Sequence, residues 1–170
     1  MTLRSARATD ASALAALAIE VWVHTYLREG VSSFFADFVL KTYTPQYFID
    51  ALQDPNETLV VSQNKVGIDG FVRVSQNRPA PVLGCGTVEI SSLYVQPRHH
   101  GRGIGHALLQ AALDKAKRLQ TPDLWLATNA ENHPAIRFYL ANGFEQVGET
   151  TFCIKGEAYP NVVFCITLNA

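Results

Sequence analysis

Between Val88 and Lys117 the chain passes from a strand-like run ending at Val95, through Gln96-Pro97-Arg98-His99-His100, into Gly101-Arg102-Gly103-Ile104-Gly105 and straight into a helix-patterned segment. That order of strand, glycine turn and helix restricts the fold more than any other stretch. Glycines at 101, 103 and 105 allow turn conformations closed to other residues and hold no side chain between a ligand and the peptide N–H groups. At the first turn of a helix those N–H groups lack intrahelical partners and carry the positive end of the helix dipole, so a phosphate or pyrophosphate suits the site. Without further support, the same residues would also serve as a flexible connection.

What the loop lacks narrows the ligand. A phosphate loop of the NTPase kind needs Lys and then Ser or Thr after its last glycine, and here Gly105 is followed by His106-Ala107. A dinucleotide fingerprint needs glycine three places after Gly103, where this chain has His106, and it needs a βαβ context that is missing.

A second constellation follows in Asn132-His133-Pro134-Ala135-Ile136-Arg137-Phe138-Tyr139-Leu140-Ala141-Asn142-Gly143-Phe144. Asn132 suits a helix cap, Pro134 the first turn and Gly143 a left-handed stop. Asn132 and Tyr139 are seven residues apart (139 − 132), close to two helical turns, so both can project to one side.

The glycine loop, together with Asn-x-x-Ala-x-x-Phe-Tyr and Gly-Phe, resembles the GNAT superfamily of acetyl-CoA-dependent N-acetyltransferases, most specifically from Glu89 to Phe144. The family's loop reads Gln or Arg, two residues, Gly, one residue, then Gly or Ala; the matching positions here are His100, Gly103 and Gly105, with His100 departing from the usual Gln or Arg. The resemblance implies acetyl-CoA as co-substrate and no metal. It implies that Leu93, Tyr94 and Val95 pair through their backbone with the pantetheine arm. It places His100, Gly101, Arg102, Gly103, Ile104, Gly105 and His106 around the pyrophosphate, Asn132 on the pantetheine and Tyr139 at the sulfur. His24-Thr25-Tyr26, Glu89-Ile90, Trp125-Leu126 and the tail from Phe152 to Gly156 are also similar to bacterial polyamine and small-amine acetyltransferases of the sporulation-regulator type.

With 170 residues, 48% of them hydrophobic, residues 1–170 are expected to form a single domain with a real core. A net charge of −1, from 14 basic and 15 acidic residues, provides no global field for nucleic acid or an anionic membrane. The run from Ala11 to Val23 is too short to span a bilayer and contains Glu20, which leads to the expectation of a cytoplasmic protein; the resemblance implies a small-molecule amine as its partner, and a homodimer is compatible with this. Cys85, Cys153 and Cys165 have neither disulfide-framework nor zinc spacing and are expected as buried thiols. His99-His100 is a weak metal candidate, because neighbours on an extended segment point to opposite sides.

Thr9 or Asp10 can cap a helix bearing Leu14, Leu17 and Val21 on one face, and a second helical region lies between Ser32 and Leu52, interrupted near Pro45. Glu57 to Ser62, Lys65 to Ser75 and Gly86 to Val95 read as strands, and Asn77-Arg78-Pro79-Ala80-Pro81 as a loop. Ile104, Leu108, Ala112 and Ala116 stripe the helix after the glycines, Leu124 to Ala130 returns as a strand, and Phe144 to Thr151 and Val162 to Leu168 flank a turn at Gly156 to Asn161. The expected fold is α/β and GNAT-like, with a mixed, partly antiparallel central sheet of about six to seven strands flanked by about four helices.

Acetyl transfer to an amine requires that the amine be neutral and the departing thiolate receive a proton. A lysine-like amine with pKa ~10.4 has its neutral form about 4.6 kcal/mol uphill at pH 7. Glu89, between Val88 and Ile90, can take that proton directly or through water, or can be a plain strand carboxylate. Tyr139 can act as general acid towards the thiolate, or be a core aromatic. The N–H of Val95 can stabilise the oxyanion if the strand splays open there. Trp22, Tyr26, Phe34, Phe35, Phe38, Tyr43, Tyr47 and Phe48, with Glu29, Asp37 and Asp50, supply core packing and a candidate pocket for a cationic amine. No cysteine falls in either motif, so direct attack in a ternary complex is expected. The alternatives are a protein N-terminus or lysine as acceptor, or a non-catalytic acyl-CoA-binding regulator.

Overall fold

The computed structural model describes residues 1–27 and 29–168. The described residues divide into two compact units, Met1–Val74 with Ser92–Ala112, and Ser75–Ser91 with Leu113–Ala170. Seven strands follow the order β1-β2-β3-β4-β5-β7-β6 in one sheet. β4 and β5 pair parallel, whereas β1 with β2, β5 with β7 and β6 with β7 pair antiparallel. The mixed α/β architecture matches the expectation, with seven strands and five α-helices among the described residues. Thr44 caps a new helix by accepting from the Tyr47 N–H at 3.1 Å, with Pro45 in its first turn, so the region around Pro45 is a break between two helices.

In the first unit, β1 (Thr2–Ser5) lies along β2 (Glu57–Gln63), with Leu3 opposite Ser62 and Arg4 opposite Val61. Sequence patterning gives no sign of β1, because four residues are too few for a period to emerge. Tertiary bonds hold it: Arg4 donates to both carboxylate oxygens of Asp10, at 2.7 and 2.9 Å, and to Gln63 Oε1 at 2.7 Å. Asp10 precedes α1 (Ala11–Tyr26), yet its side chain does not cap the helix as anticipated; it accepts from Arg4 and from the Arg7 N–H. Leu14 and Leu17 are buried as expected, in a cluster with Ala18, Phe48, Val61 and Phe71. α2 (Ser33–Thr42) and α3 (Pro45–Gln53) follow. Asn64 turns the chain from β2 into β3 (Ile68–Ser75), its side chain accepting from the N–H groups of Val66 and Gly67. Gly70 lies where β3 meets β4 (Glu89–Val95) and α4 (Ile104–Arg118): a Cβ there would be 2.9 Å from the Tyr94 carbonyl and 3.0 Å from Leu108. The α4 stripe of Ile104, Leu108, Ala112 and Ala116 is buried throughout.

In the second unit, β7 (Glu157–Thr167) is sandwiched between β5 (Asp123–Asn129) and β6 (Glu145–Ile154), and α5 (His133–Ala141) precedes β6. The last hairpin departs from expectation. Ile154 pairs directly with Glu157, leaving a two-residue turn at Lys155-Gly156, both at positive φ, instead of a loop reaching Asn161. The outer half of this hairpin is largely exposed and contains Pro160, so it carries no apolar alternation to read. Of the three cysteines, Cys165 is buried and Cys85 half-buried, but Cys153 is exposed on β6, contrary to the expectation of buried thiols.

Two outcomes follow from the packing. Gly70→Ala should lower stability by about 1–3 kcal/mol, because the contact is with backbone as well as side chain; urea denaturation measures it. Arg4, as hydrogen-bond donor, holds the Asp10 carboxyl below its ordinary value of 3.8. Its stabilisation is therefore present above that value and disappears as pH falls through the lower folded-state value. Asp10→Asn should flatten the loss of stability between about pH 5 and pH 2 in acid unfolding.

Candidate functional site

The cradle in the first unit begins at the end of β4. Pro97–His99 form one short helical turn, with the His99 N–H donating to the Gln96 carbonyl at 2.8 Å, and the Gln96 N–H donating back to the Asp69 carbonyl at 3.0 Å. Gly101 and Gly103 adopt φ of +76° and +79°, the left-handed region, with open space where a side chain would be. Gly105 differs from the expectation: it lies within α4 and not at positive φ, so it sets no turn. The α4 ladder starts with Ala107 N–H to Gly103 O at 3.0 Å, so the amides of Ile104 and Gly105 precede it at the positive end of a 15-residue helix. His100 places Nε2 3.0 Å from the Val95 carbonyl, tying the loop back to the strand end; His100, Arg102 and His106 are exposed.

Beneath this turn, Asp69 on β3 is buried, and its Oδ2 accepts from Asn64 Nδ2 at 3.0 Å. His99 Nδ1 stands 3.9 Å from the same oxygen. From α1, Glu20 accepts from Gln96 Nε2 at 2.7 Å and lies 3.7 Å from the Arg98 guanidinium.

Phenols gather on the helical side of β3 and β4. Tyr43 Oη and Tyr94 Oη are 3.3 Å apart, and the Tyr94 ring meets Phe71 edge-on at 5.3 Å. Burial pushes the Tyr26 phenol up to about 12 and raises those of Tyr43 and Tyr94, with neighbouring phenols adding to the effect on Tyr26 and Tyr43. All three are therefore neutral hydrogen-bonding groups at physiological pH. Arg73 donates to Glu57 Oε2 at 2.8 Å and to Tyr47 Oη at 2.6 Å, with its guanidinium 5.2 Å from the Tyr47 ring. Trp22 and Phe48 are core residues, 3% and 1% exposed, which removes them from any pocket lining. Glu29, Asp37 and Asp50 are exposed.

In the second unit, Asn132 Oδ1 accepts from the Ala135 N–H at 3.3 Å, capping α5 as anticipated, and Gly143 stops it at φ +85°. The cap engages the amide oxygen, not the Nδ2 donors. Tyr139 is buried among Phe138, Phe144 and Phe164, with ring centroids at 5.4, 5.7 and 6.0 Å. Glu89 is half-buried at the start of β4, opposite Trp125, whose N–H donates to the Val88 carbonyl.

Sequence reasoning anticipated the glycine turn, the Asn132 cap and the helix that carries Tyr139, but not the Tyr43–Tyr94 contact, the Arg73–Glu57–Tyr47 group or the Asp69–His99 pair. Each joins residues far apart in the chain, 51 positions in the first case, so no local spacing could signal them. Among the described residues no helix is long and apolar enough to cross a membrane, and no three His, Cys, Asp or Glu side chains gather as metal ligands.

The model of the acetyltransferase (GNAT) family matches residues 18–144. An uncharacterized N-acetyltransferase of Mycobacterium bovis is 29% identical over 85% of this chain and 88% of its own. The L-methionine sulfoximine/L-methionine sulfone acetyltransferase of Salmonella typhimurium is 26% identical over 85% and 80%. In structure, a PaiA N-acetyltransferase from Thermoplasma acidophilum, solved with coenzyme A, superposes with a TM-score of 0.79 at 17% identity, covering 98% of each chain. A putative acetyltransferase from Salmonella typhimurium, solved with acetyl-CoA, gives 0.70 at 21% identity over 99% of this chain and 94% of its own. A family match over most of the length, on a chain with this glycine loop, leaves one conclusion: the protein belongs to the GNAT family and is an N-acetyltransferase.

Proposed function

We propose that the chain transfers the acetyl group of acetyl-CoA to the primary amine of a small molecule, by direct attack in a ternary complex. The observation that carries the cofactor assignment is the N-terminus of α4, preceded by two left-handed glycines on the turn that follows β4. A pyrophosphate is a natural partner for such a helix end, and an extended pantetheine arm with two amides for the main chain of a strand. In this reading Leu93, Tyr94 and Val95 bind the pantetheine through their main chain, residues 100–106 hold the pyrophosphate, and the Nδ2 donors of Asn132 serve a pantetheine carbonyl.

The chemistry then falls to few groups. The N–H of Val95 supports the charge that develops on the thioester oxygen. Tyr139, neutral in its aromatic surroundings, returns a proton to the departing thiolate, and Glu89 accepts the proton lost by the amine, directly or through water. The phenols of Tyr26, Tyr43 and Tyr94 support a small acceptor: uncharged hydrogen-bonding groups on a rigid aromatic wall orient an amine without trapping it as the ammonium. The exposed positions of Glu29, Asp37 and Asp50 restrict them to long-range attraction for a polyamine, which remains one acceptor within the class.

Three measurements test this reading. Tyr139→Phe should lower kcat about 10²–10⁴-fold while KM for acetyl-CoA stays within a few-fold; unchanged turnover rejects the acid role. Glu89→Gln should remove the acid limb of the pH–rate profile, and a profile like that of wild type would discard it as base. A screen of CoA release with polyamines, amino acids, aminoglycosides and short peptides should favour small amines and give intersecting initial-rate lines. A preference for peptides would instead make the acceptor a protein.

A further inference from the structure

Asp69 and His99 face one another under the turn that enters the glycine loop, and both are incompletely satisfied. Their side chains are 5% and 18% exposed and their nearest N and O atoms 3.9 Å apart. Among the described residues, Asp69 Oδ1 and His99 Nδ1 are buried without a hydrogen-bond partner. Buried polar atoms are nearly always partnered, and a charge-assisted N–H···O bond spans about 2.7–2.9 Å, so this pair is held roughly 1 Å too far apart. The turn is mechanically linked to the pair. The Asp69 carbonyl accepts from the Gln96 N–H, the Gln96 carbonyl accepts from the His99 N–H, and the next residue, His100, opens the cradle.

Of the charged and titratable groups of this region, Asp69 on β3 faces His99, while Glu20 on α1 pairs with Arg98 of the turn. His100, Arg102 and His106 follow along the chain through the loop into α4. Glu20 is engaged by Gln96 and Arg98, which leaves Asp69 as the carboxylate aimed at the ring.

We infer that Asp69 and His99 form a proton-coupled latch for the cofactor loop: when a diphosphate occupies the cradle, His99 takes a proton from solvent, and the imidazolium closes onto Asp69 and draws the turn down. Protonation makes both ring nitrogens donors, so the buried Nδ1–H gains an acceptor in the Asp69 carboxylate, whose Oδ2 is the nearer oxygen. The bound diphosphate and Asp69 both favour the cation, so cofactor binding and proton uptake are linked and cofactor affinity falls as pH rises. His99 is thus a positioning residue, acting through the loop and not on the thioester. The inference rests on the cofactor assignment proposed above.

The test is calorimetric titration of CoA into the full chain, in buffers of different ionisation enthalpy, between about pH 6 and 8.5, the range in which imidazoles titrate. Wild type should take up roughly half a proton more than His99→Gln; ionisation of the CoA phosphates is common to both and cancels. His99→Gln should bind CoA about 5- to 20-fold more weakly at the low-pH end, with a flatter affinity profile. Asp69→Asn, which retains the shape and the neighbour Asn64, should lose the same proton uptake and serves where His99→Gln does not fold. Equal proton uptake in wild type and in either variant, or parallel affinity profiles, overturns the latch. No heat of binding with wild type would remove the cofactor assignment itself, and the latch with it.

Discussion

The N-terminus of α4, set behind two left-handed glycines, is the constraint around which the cradle is arranged. The first N–H groups of a helix have no intrahelical partner, and each unmet N–H that is buried carries a desolvation penalty. Gly101 and Gly103 leave open space in front of those groups, so an anion can approach them. The same helix end supplies a fixed positive potential that needs no lysine.

The two halves of the proposed chemistry depend on different kinds of order. The loop is an exposed segment whose conformation is specified by two left-handed glycines and anchored by His100 to the Val95 carbonyl and by Gln96 to Asp69. Tyr139 is held instead by packing, among three phenylalanine rings, on a helix whose start and stop are set by Asn132 and Gly143. A flexible loop pinned at few points can respond to a ligand, whereas a phenol fixed by rings keeps its position through turnover.

Acceptor recognition, in the proposed reading, draws on a third kind of group. Tyr26, Tyr43 and Tyr94 come from a helix, an interhelical joint and a strand, and burial keeps each of them protonated. Beside them Arg73 is neutralised by Glu57 and covered by Tyr47, so the buried charge on this face is already balanced. Such a wall rewards shape and hydrogen bonding over net charge, in keeping with the chain's overall charge of −1.

Local chemistry alone determined a good part of this protein. The glycine loop, the Asn132 cap, the Gly143 stop and the α4 stripe were legible because each is written within a few turns of chain, where backbone freedom, capping and helical period act. The family followed from the same short motifs. Tertiary structure decided the rest. β1 exists because β2, Asp10 and Gln63 hold it; Gly105 is helical because α4 reaches back over it; and the final hairpin extends through exposed polar residues because strand pairing, not apolar burial, carries it. The Tyr43–Tyr94 and Asp69–His99 contacts belong to the same category: they join distant positions, and only the three-dimensional path of the chain brings their polar atoms within reach.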